Sequence, residues 1–585
     1  MPLNSSIGSL GSSVSNRRVL EWSDVCVERS KGSYSIRNVT GSLGLGRLTG
    51  IIGPSGCGKT LLLELLAGRV EMKSGRVDIV DYSENRINLQ NSSDLRNYIG
   101  YVSSKDELMD MVTVCEALEF NQMLRPRTRT HPSQTTSLSE YYMNLLDLEN
   151  FKHTQYSQLI SVNHKRLATI ASEMISERKI LLLDTPLNGL TQLGGYQFIK
   201  TLKKLVATDS TNILSGILCS LVQPTSEVLS LFDDIILMAD YGQVIYQGPV
   251  CDMGKYFLKF GHNCPTHYNI ADFALFVLHS ISAIERDRIA CELQRTGTCE
   301  SLADGAVPPP KTIYDTPPLQ TQIRLLFMRQ AHEILRNWKQ TILPRIIFTI
   351  VASTIIGLVY YQIGTKVNVN SSSYYLQAYR GCIMVICCNA MFSNAQSVVL
   401  ELPFQKKVFL RENSLGMYSP WAYLASKLPI DYTLNLILII IQLLIEYFLC
   451  SLSGNFAVYL FVLFAVSICT EAMALSIACT FTSPITAIQM LPLAIFPQII
   501  FSGLIISIAA MPNWISWIQY VCFLPYGLKI LTINEFGCAD VAQFTSNDVD
   551  CTYIALNAVM LVSISAFFRL GALIALQFKP KTYTH

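Results

Sequence analysis

The chain of 585 residues is half apolar, with 15% charged residues and a formal net charge of +2. Its mean hydropathy of +0.32 excludes a single soluble globular domain of ordinary composition. A charge this small, without a concentrated basic cluster in the soluble part, excludes a nucleic-acid partner, because a phosphate backbone needs such a surface.

The length allows two or more domains, each with its own core. Residues 1–20 are rich in Ser and Gly and lack an apolar run of signal-peptide length, so a flexible cytosolic tail is expected there. As far as about residue 335 charges occur throughout. Beyond it come apolar stretches long enough to cross a ~30 Å hydrocarbon layer. Most of the 17 cysteines fall in the cytosolic part or in the apolar spans, where disulfides are not expected, and neither CxxC pairs nor zinc spacings occur.

The first motif is Gly53-Pro54-Ser55-Gly56-Cys57-Gly58-Lys59-Thr60, which fits G-x-x-x-x-G-K-[ST]. It follows the apolar run Leu48 to Ile52 and precedes the helical run Leu61 to Leu66. Strand, loop and helix in that order suit a phosphate: glycines let backbone N–H groups point at it, and the helix N-terminus adds partial positive charge. Lys59 is then expected on the β- and γ-phosphates, and Thr60 on Mg²⁺. Further on, Ile180-Leu181-Leu182-Leu183-Asp184 reads as a buried strand ending in an acid. Paired with the phosphate loop, Asp184 is expected to hold Mg²⁺. Tyr34 suits stacking on adenine and equally an ordinary place in a strand.

Residues 160–191 resemble the signature helix, Walker B strand and D-loop of an ABC ATPase. Gln223-Pro224-Thr225-Ser226-Glu227 resembles the switch region of the G subfamily, and Asn269-Ile270-Ala271-Asp272-Phe273 its N-P-A-D-F. The resemblance covers the chain. It implies an α/β P-loop NTPase domain followed by an all-α polytopic membrane domain of six transmembrane helices. The expected boundaries are 1–20 for the tail, 21–275 for the nucleotide-binding domain, 276–318 for a linker, 319–337 for a connecting helix and 338–585 for the membrane domain.

Several positions depart from the family pattern. Thr185 stands where the family places a glutamate that polarises the attacking water, and a threonine cannot accept a proton near neutral pH. Val222 stands at the switch histidine and Ser104 at the Q-loop glutamine. The signature S-G-G-[EQ] is matched by Ser161-Val162-Asn163-His164, where Ser161 alone survives and the β-branched Val162 obstructs close backbone approach. A site that binds ATP and hydrolyses it poorly is the expectation.

Leu319 to Arg336 has helical periodicity with an apolar and a basic face. Apolar spans are predicted at about 341–362, 379–400, 430–450, 456–481, 486–509 and 552–577. Arg336, Lys339 and Arg345 precede the first; Lys406, Lys407, Arg411 and Lys427 lie between the second and third; Lys579 and Lys581 follow the last. The positive-inside rule then puts both termini in the cytosol. Phe409-Leu410-Arg411-Glu412-Asn413 with Tyr418-Ser419-Pro420 resembles the family's first intracellular loop. Trp514, Trp517 and Tyr520 resemble its re-entrant segment, and Asn534-Glu535-Phe536 its N-E-F, which opens the large outer loop.

On the oxidising side that loop carries Cys538 and Cys551, whose separation suits an intrachain disulfide; free thiols or an intersubunit bridge are the alternatives. Asn370-Ser371-Ser372 is a sequon in an outer loop. Asn389 and Phe392, with Ile495 and Phe496, match family positions lining a central substrate cavity, and Leu504 and Ile505 match an apolar plug above it; helix packing accounts for the same residues. Glu446 and Glu471 are costly in lipid, so each is expected to face the protein interior.

These expectations describe a half-size transporter subunit that uses ATP and Mg²⁺ in the lipid bilayer. It pairs with a second half-transporter, a heterodimer being favoured over a homodimer, and moves a lipid, sterol or other amphipathic molecule. The alternative is a non-hydrolysing regulatory or scaffold subunit. The apolar spans exclude a soluble ATPase.

Overall fold

The computed structural model describes residues 18–29, 33–80, 86–89, 92–103, 112–124, 137–159, 161–175, 178–208, 214–265, 268–282, 284–286, 288–290, 317–369, 373–481, 483–503, 511–544 and 554–578. They fall into two compact units, dividing between Pro317 and Pro318.

The first unit holds two sheets. Strands β1 (Arg18–Arg29), β2 (Ser33–Gly44), β4 (Ser74–Val80) and β5 (Arg86–Asn88) form an antiparallel sheet in the order β2-β1-β4-β5. The second sheet has six strands in the order β10-β9-β3-β8-β7-β6: β3 (Arg47–Ile52), β6 (Ile99–Val102), β7 (Ile180–Leu183), β8 (Gly216–Ser220), β9 (Asp234–Met238) and β10 (Val244–Pro249). All neighbours there run parallel except β9 and β10. β7 and β8 are buried along their whole length, which is why they read as unbroken apolar runs. Because β8 lies between β3 and β7, the carboxyl ends of these three strands open on one crevice, where open parallel sheets place their ligands. Helix α1 (Lys59–Leu66) leaves β3 through the phosphate loop, and α2 (Val162–Met174) precedes β7.

The second unit is helical. It begins with α3 (Leu319–Arg336) and continues through α4 (Trp338–Val359), α5 (Ser373–Ser414), α6 (Pro420–Cys450), α7 (Phe456–Thr480), α8 (Pro484–Ile500), α9 (Leu524–Phe544) and α10 (Ile554–Phe578). Among the described residues five segments are long and apolar enough to cross a membrane: Trp338–Lys366, Tyr375–Pro403, Pro420–Cys450, Phe456–Thr480 and Ile554–Gln577.

The predicted fifth span, 486–509, corresponds to α8 as far as Ile500, and its residues 504–509 lie outside the described residues. The predicted second span, 379–400, lies within the apolar segment Tyr375–Pro403 of the 42-residue α5. Phe409 to Asn413, expected in a loop, are instead the last turns of α5: the helix runs through Pro403, and no Pro or Gly follows until Gly416, which at φ 71 ends the helix with the Met417 N–H bonded to Glu412 O at 3.2 Å. Asn534 to Phe536 likewise lie inside α9, where Gly537 at φ 73 interrupts the helix just after them.

Glu446 and Glu471 are both buried, as expected. Asn389 donates to Glu446 at 2.8 Å and to Ser353 at 3.2 Å, and Asn435 donates to Glu471 at 2.5 Å. Both acids therefore have a polar partner on another helix, as a group deprived of water requires.

Candidate functional site: the nucleotide site and the membrane-domain positions

The loop from Gly53 to Gly58 turns the chain from β3 into α1. Three glycines make the turn, Gly56 among them at φ 87. A Cβ on Gly53 would sit 2.4 Å from the Met238 carbonyl oxygen, and Gly58 caps α1 in the left-handed region at φ 104. Lys59 is buried, and its Nζ donates to the carbonyls of Gly53 at 2.7 Å and Pro54 at 2.9 Å. The ammonium is thereby held within the loop that the motif assigns to phosphates. Cys57 is buried beside it, with its Sγ 3.8 Å from Lys59 Nζ. Burial pushes the Cys57 thiol up, and the nearby lysine charge offsets only part of that.

The Thr60 hydroxyl bonds to both carboxylate oxygens of Asp184, at 3.1 and 3.0 Å. Asp184 follows β7 directly and is buried, so hydroxyl and carboxylate converge from two elements on one point. A hydroxyl and a carboxylate are hard oxygen donors, and they suit Mg²⁺ in a site that also holds phosphates.

One participant carries no motif and escaped the sequence reading. Ser220, the last residue of β8, is fully buried and donates to Asp184 Oδ1 at 2.6 Å. Its Oγ also accepts the Thr185 N–H at 2.7 Å. The available signal was strand register: Leu183 pairs with Cys219, which puts Ser220 level with Asp184.

The substituted positions lie around this core. Thr185 stands in the left-handed region at φ 43, an outlier for a β-branched residue. Val222 is 62% exposed, so an apolar side chain faces solvent where the family places a histidine. Ser161 precedes α2 without a side-chain cap bond, Val162 is exposed, and His164 packs its ring on Phe151 at 4.3 Å between centroids. Ser104 and the side chain of Tyr34 lie outside the described residues.

In the membrane unit the proposed cavity positions separate into two groups. Asn389 and Ile495 are buried within the chain, the first on Glu446 and the second in the main apolar cluster. Phe392 and Phe496 are 43% and 63% exposed. Leu504, Ile505, Asn370, Cys551 and the side chain of Cys538 lie outside the described residues.

The family model described as ABC transporter matches residues 36–188, and one described as ABC-2 type transporter matches residues 321–536; a further ABC-2 type transporter model matches residues 222–294. An ATPase domain thus precedes a membrane domain in one chain, the order of the G type. The chain belongs to the ABCG half-transporters.

This half-transporter is 28% identical to the broad substrate specificity ATP-binding cassette transporter ABCG2 of Sus scrofa, over 88% of this chain and 84% of that protein. Protein white of Drosophila melanogaster is 26% identical over 91% of this chain and 79% of that protein. Among solved structures, a nucleotide-free ATP-binding cassette from an ABC transporter matches 40% of this chain and 91% of its own, at 19% identity and a TM-score of 0.34. The ABCG half-transporter described here is accordingly a multi-pass membrane protein with a nucleotide-binding ATPase domain, of a kind that acts as a dimer.

Proposed function

We propose that this chain is the ATP-holding, weakly hydrolysing subunit of a two-chain transporter that moves a lipid, sterol or other amphipathic substrate across a membrane. One contrast carries the reading. Lys59 is held within its phosphate loop and Thr60 meets Asp184 at 3.0–3.1 Å, which supports a site for MgATP, whereas Thr185 and Val222 offer no general base and no switch imidazole.

In this reading the loop from Gly53 to Thr60 receives the phosphates. Lys59 leaves its loop carbonyls for the β- and γ-phosphate oxygens, gaining charge-assisted hydrogen bonds. Thr60 and Asp184 hold Mg²⁺, which when bound neutralises phosphate charge. At position 185 a threonine hydroxyl cannot take a proton from water at neutral pH, and general bases are worth roughly 10²- to 10⁴-fold in rate.

ABC sites take the phosphate loop from one chain and the signature from the other, so a homodimer would carry every defect twice. A partner with an intact signature would complete the Lys59 site as one that holds ATP. The partner's own glutamate and histidine, facing Ser161 to His164, would carry the remaining turnover. Phe392 and Phe496, exposed on a single chain, are the cavity positions available to a space between two chains. The basic residues before the first span and between the second and third favour cytosolic termini.

The test is steady-state ATP hydrolysis by the purified chain in lipid, alone and with candidate half-transporters, beside Lys59→Ala. The expected result is little hydrolysis alone and Lys59-dependent nucleotide labelling. Rates typical of an active homodimer, abolished by Lys59→Ala, would refute the reading. The missing base and imidazole also suit the second reading, a regulatory subunit. Vesicles containing both chains that bind nucleotide and move no substrate would select it.

A further inference from the structure

We propose that Ser220 is a positioning residue of the nucleotide site, fixing the Asp184 carboxylate and the backbone of residue 185 as one unit; this rests on the reading that Asp184 holds Mg²⁺. Ser220 belongs to no phosphate, signature or switch motif. It is the residue at which β8, lying between β3 and β7, reaches the crevice: Ile51 pairs with it on one side, and the adjacent Cys219 pairs with Leu183 on the other.

A serine hydroxyl has one proton to give and lone pairs to receive. Ser220 spends its proton on Asp184 Oδ1 at 2.6 Å, a short bond of the charge-assisted kind. It receives the Thr185 N–H at 2.7 Å. These bonds restrain different freedoms. The terminal torsion of an aspartate is broad, so its rotamer alone does not fix where the oxygens point. Thr60 contacts both oxygens nearly equally, at 3.1 and 3.0 Å, and does not distinguish them. Ser220 engages Oδ1 at 2.6 Å and so orients the plane of the group.

The second bond acts on a strained residue. Thr185 at φ 43 occupies a region that β-branched residues avoid, and its N–H is the one held by Ser220. The same hydroxyl thus sets both the metal-facing carboxylate and the start of the turn that carries residue 185. Ser220 touches neither phosphate nor metal in this assignment; it acts through Asp184.

The experiment titrates Mg²⁺ against a fluorescent ATP analogue bound to the full chain in nanodiscs, with a chelator control. Loss of one charge-assisted bond predicts that Ser220→Ala raises the Mg²⁺ concentration for half-maximal binding about tenfold. Affinity in chelator should stay at the parent value, and Ser220→Thr, which keeps the hydroxyl, should restore the parent Mg²⁺ dependence. Parent-like Mg²⁺ dependence in Ser220→Ala overturns the proposal. If Ser220→Ala binds no analogue even in chelator, Ser220→Cys takes its place; an intermediate Mg²⁺ requirement supports the assignment and an unchanged one overturns it. Asp184→Asn separates the two layers. Should it leave the Mg²⁺ requirement unchanged, the reading of Asp184 itself fails. Should it raise the requirement while Ser220→Ala does not, the role of Ser220 alone is refuted.

Discussion

Arg329 of α3 and Glu412 of α5, 83 residues apart, meet in two parallel hydrogen bonds, Nη1 to Oε1 at 2.7 Å and Nη2 to Oε2 at 2.9 Å. Both side chains are buried, and the Tyr418 hydroxyl closes on Glu412 Oε2 at 2.6 Å. Burial works against the Arg329 charge, but the Glu412 carboxylate more than compensates and holds its pKa above the ordinary value. The guanidinium therefore stays ionised at every physiological pH. Removing one member strands the other's charge without water. Glu412→Gln or Arg329→Ala should each destabilise the unit by about 3–5 kcal/mol, whereas Arg329→Met with Glu412→Leu should lose less than the sum of the singles. Thermal melts of the purified protein check this, and single variants that melt with the parent would remove the pair from the account.

Cys57 should react slowly with alkylating reagents at neutral pH. The thiolate is the reactive species, and burial raises the Cys57 pKa above its ordinary value, so the thiolate fraction is small near pH 7 and climbs about tenfold per pH unit up to that raised pKa. The exposed Cys251 is the internal comparison. Mass-spectrometric labelling against pH should show Cys57 trailing Cys251 throughout; equal labelling at pH 7 would contradict the buried placement.

Thr185 carries a conformational cost that another residue would reduce. Asn accepts the left-handed region more readily than a β-branched residue, so Thr185→Asn should stabilise the chain by about 1 kcal/mol. The readout is an upward shift of the melting temperature. A downward shift would mean that the threonine side chain contributes more packing than its backbone costs.

We propose that Cys538 and Cys551 form an intrachain disulfide. Peptide mapping without reduction, on protein from an oxidising compartment, should recover them linked. Both as free thiols would be evidence against the pairing and against an outer position for the segment.

The sequence determined the phosphate loop, the strand before it and the acid at Asp184, because each is a local pattern whose physical meaning lies within a few residues. It also determined the apolar spans expected at about 341–362 and 552–577, which match the apolar helical segments Trp338–Lys366 and Ile554–Gln577, since length and composition suffice there. Tertiary structure decided the rest. Continuous helix through Phe409 to Asn413 depends on the packed helix running through Pro403 and meeting no further breaker until Gly416, which a family likeness to a loop concealed. Asn389 matches a family position that lines a cavity, with helix packing as the alternative. Its partner Glu446 lies 57 residues away on another, and only the packed bundle brings the amide and the acid to 2.8 Å. Ser220 is the sharpest case. Nothing near it in sequence distinguishes it from other buried strand serines, and its contact with Asp184 exists because β8 is inserted between β3 and β7. Strand order is a long-range property, fixed by how whole strands pair, and no local window of residues contains it.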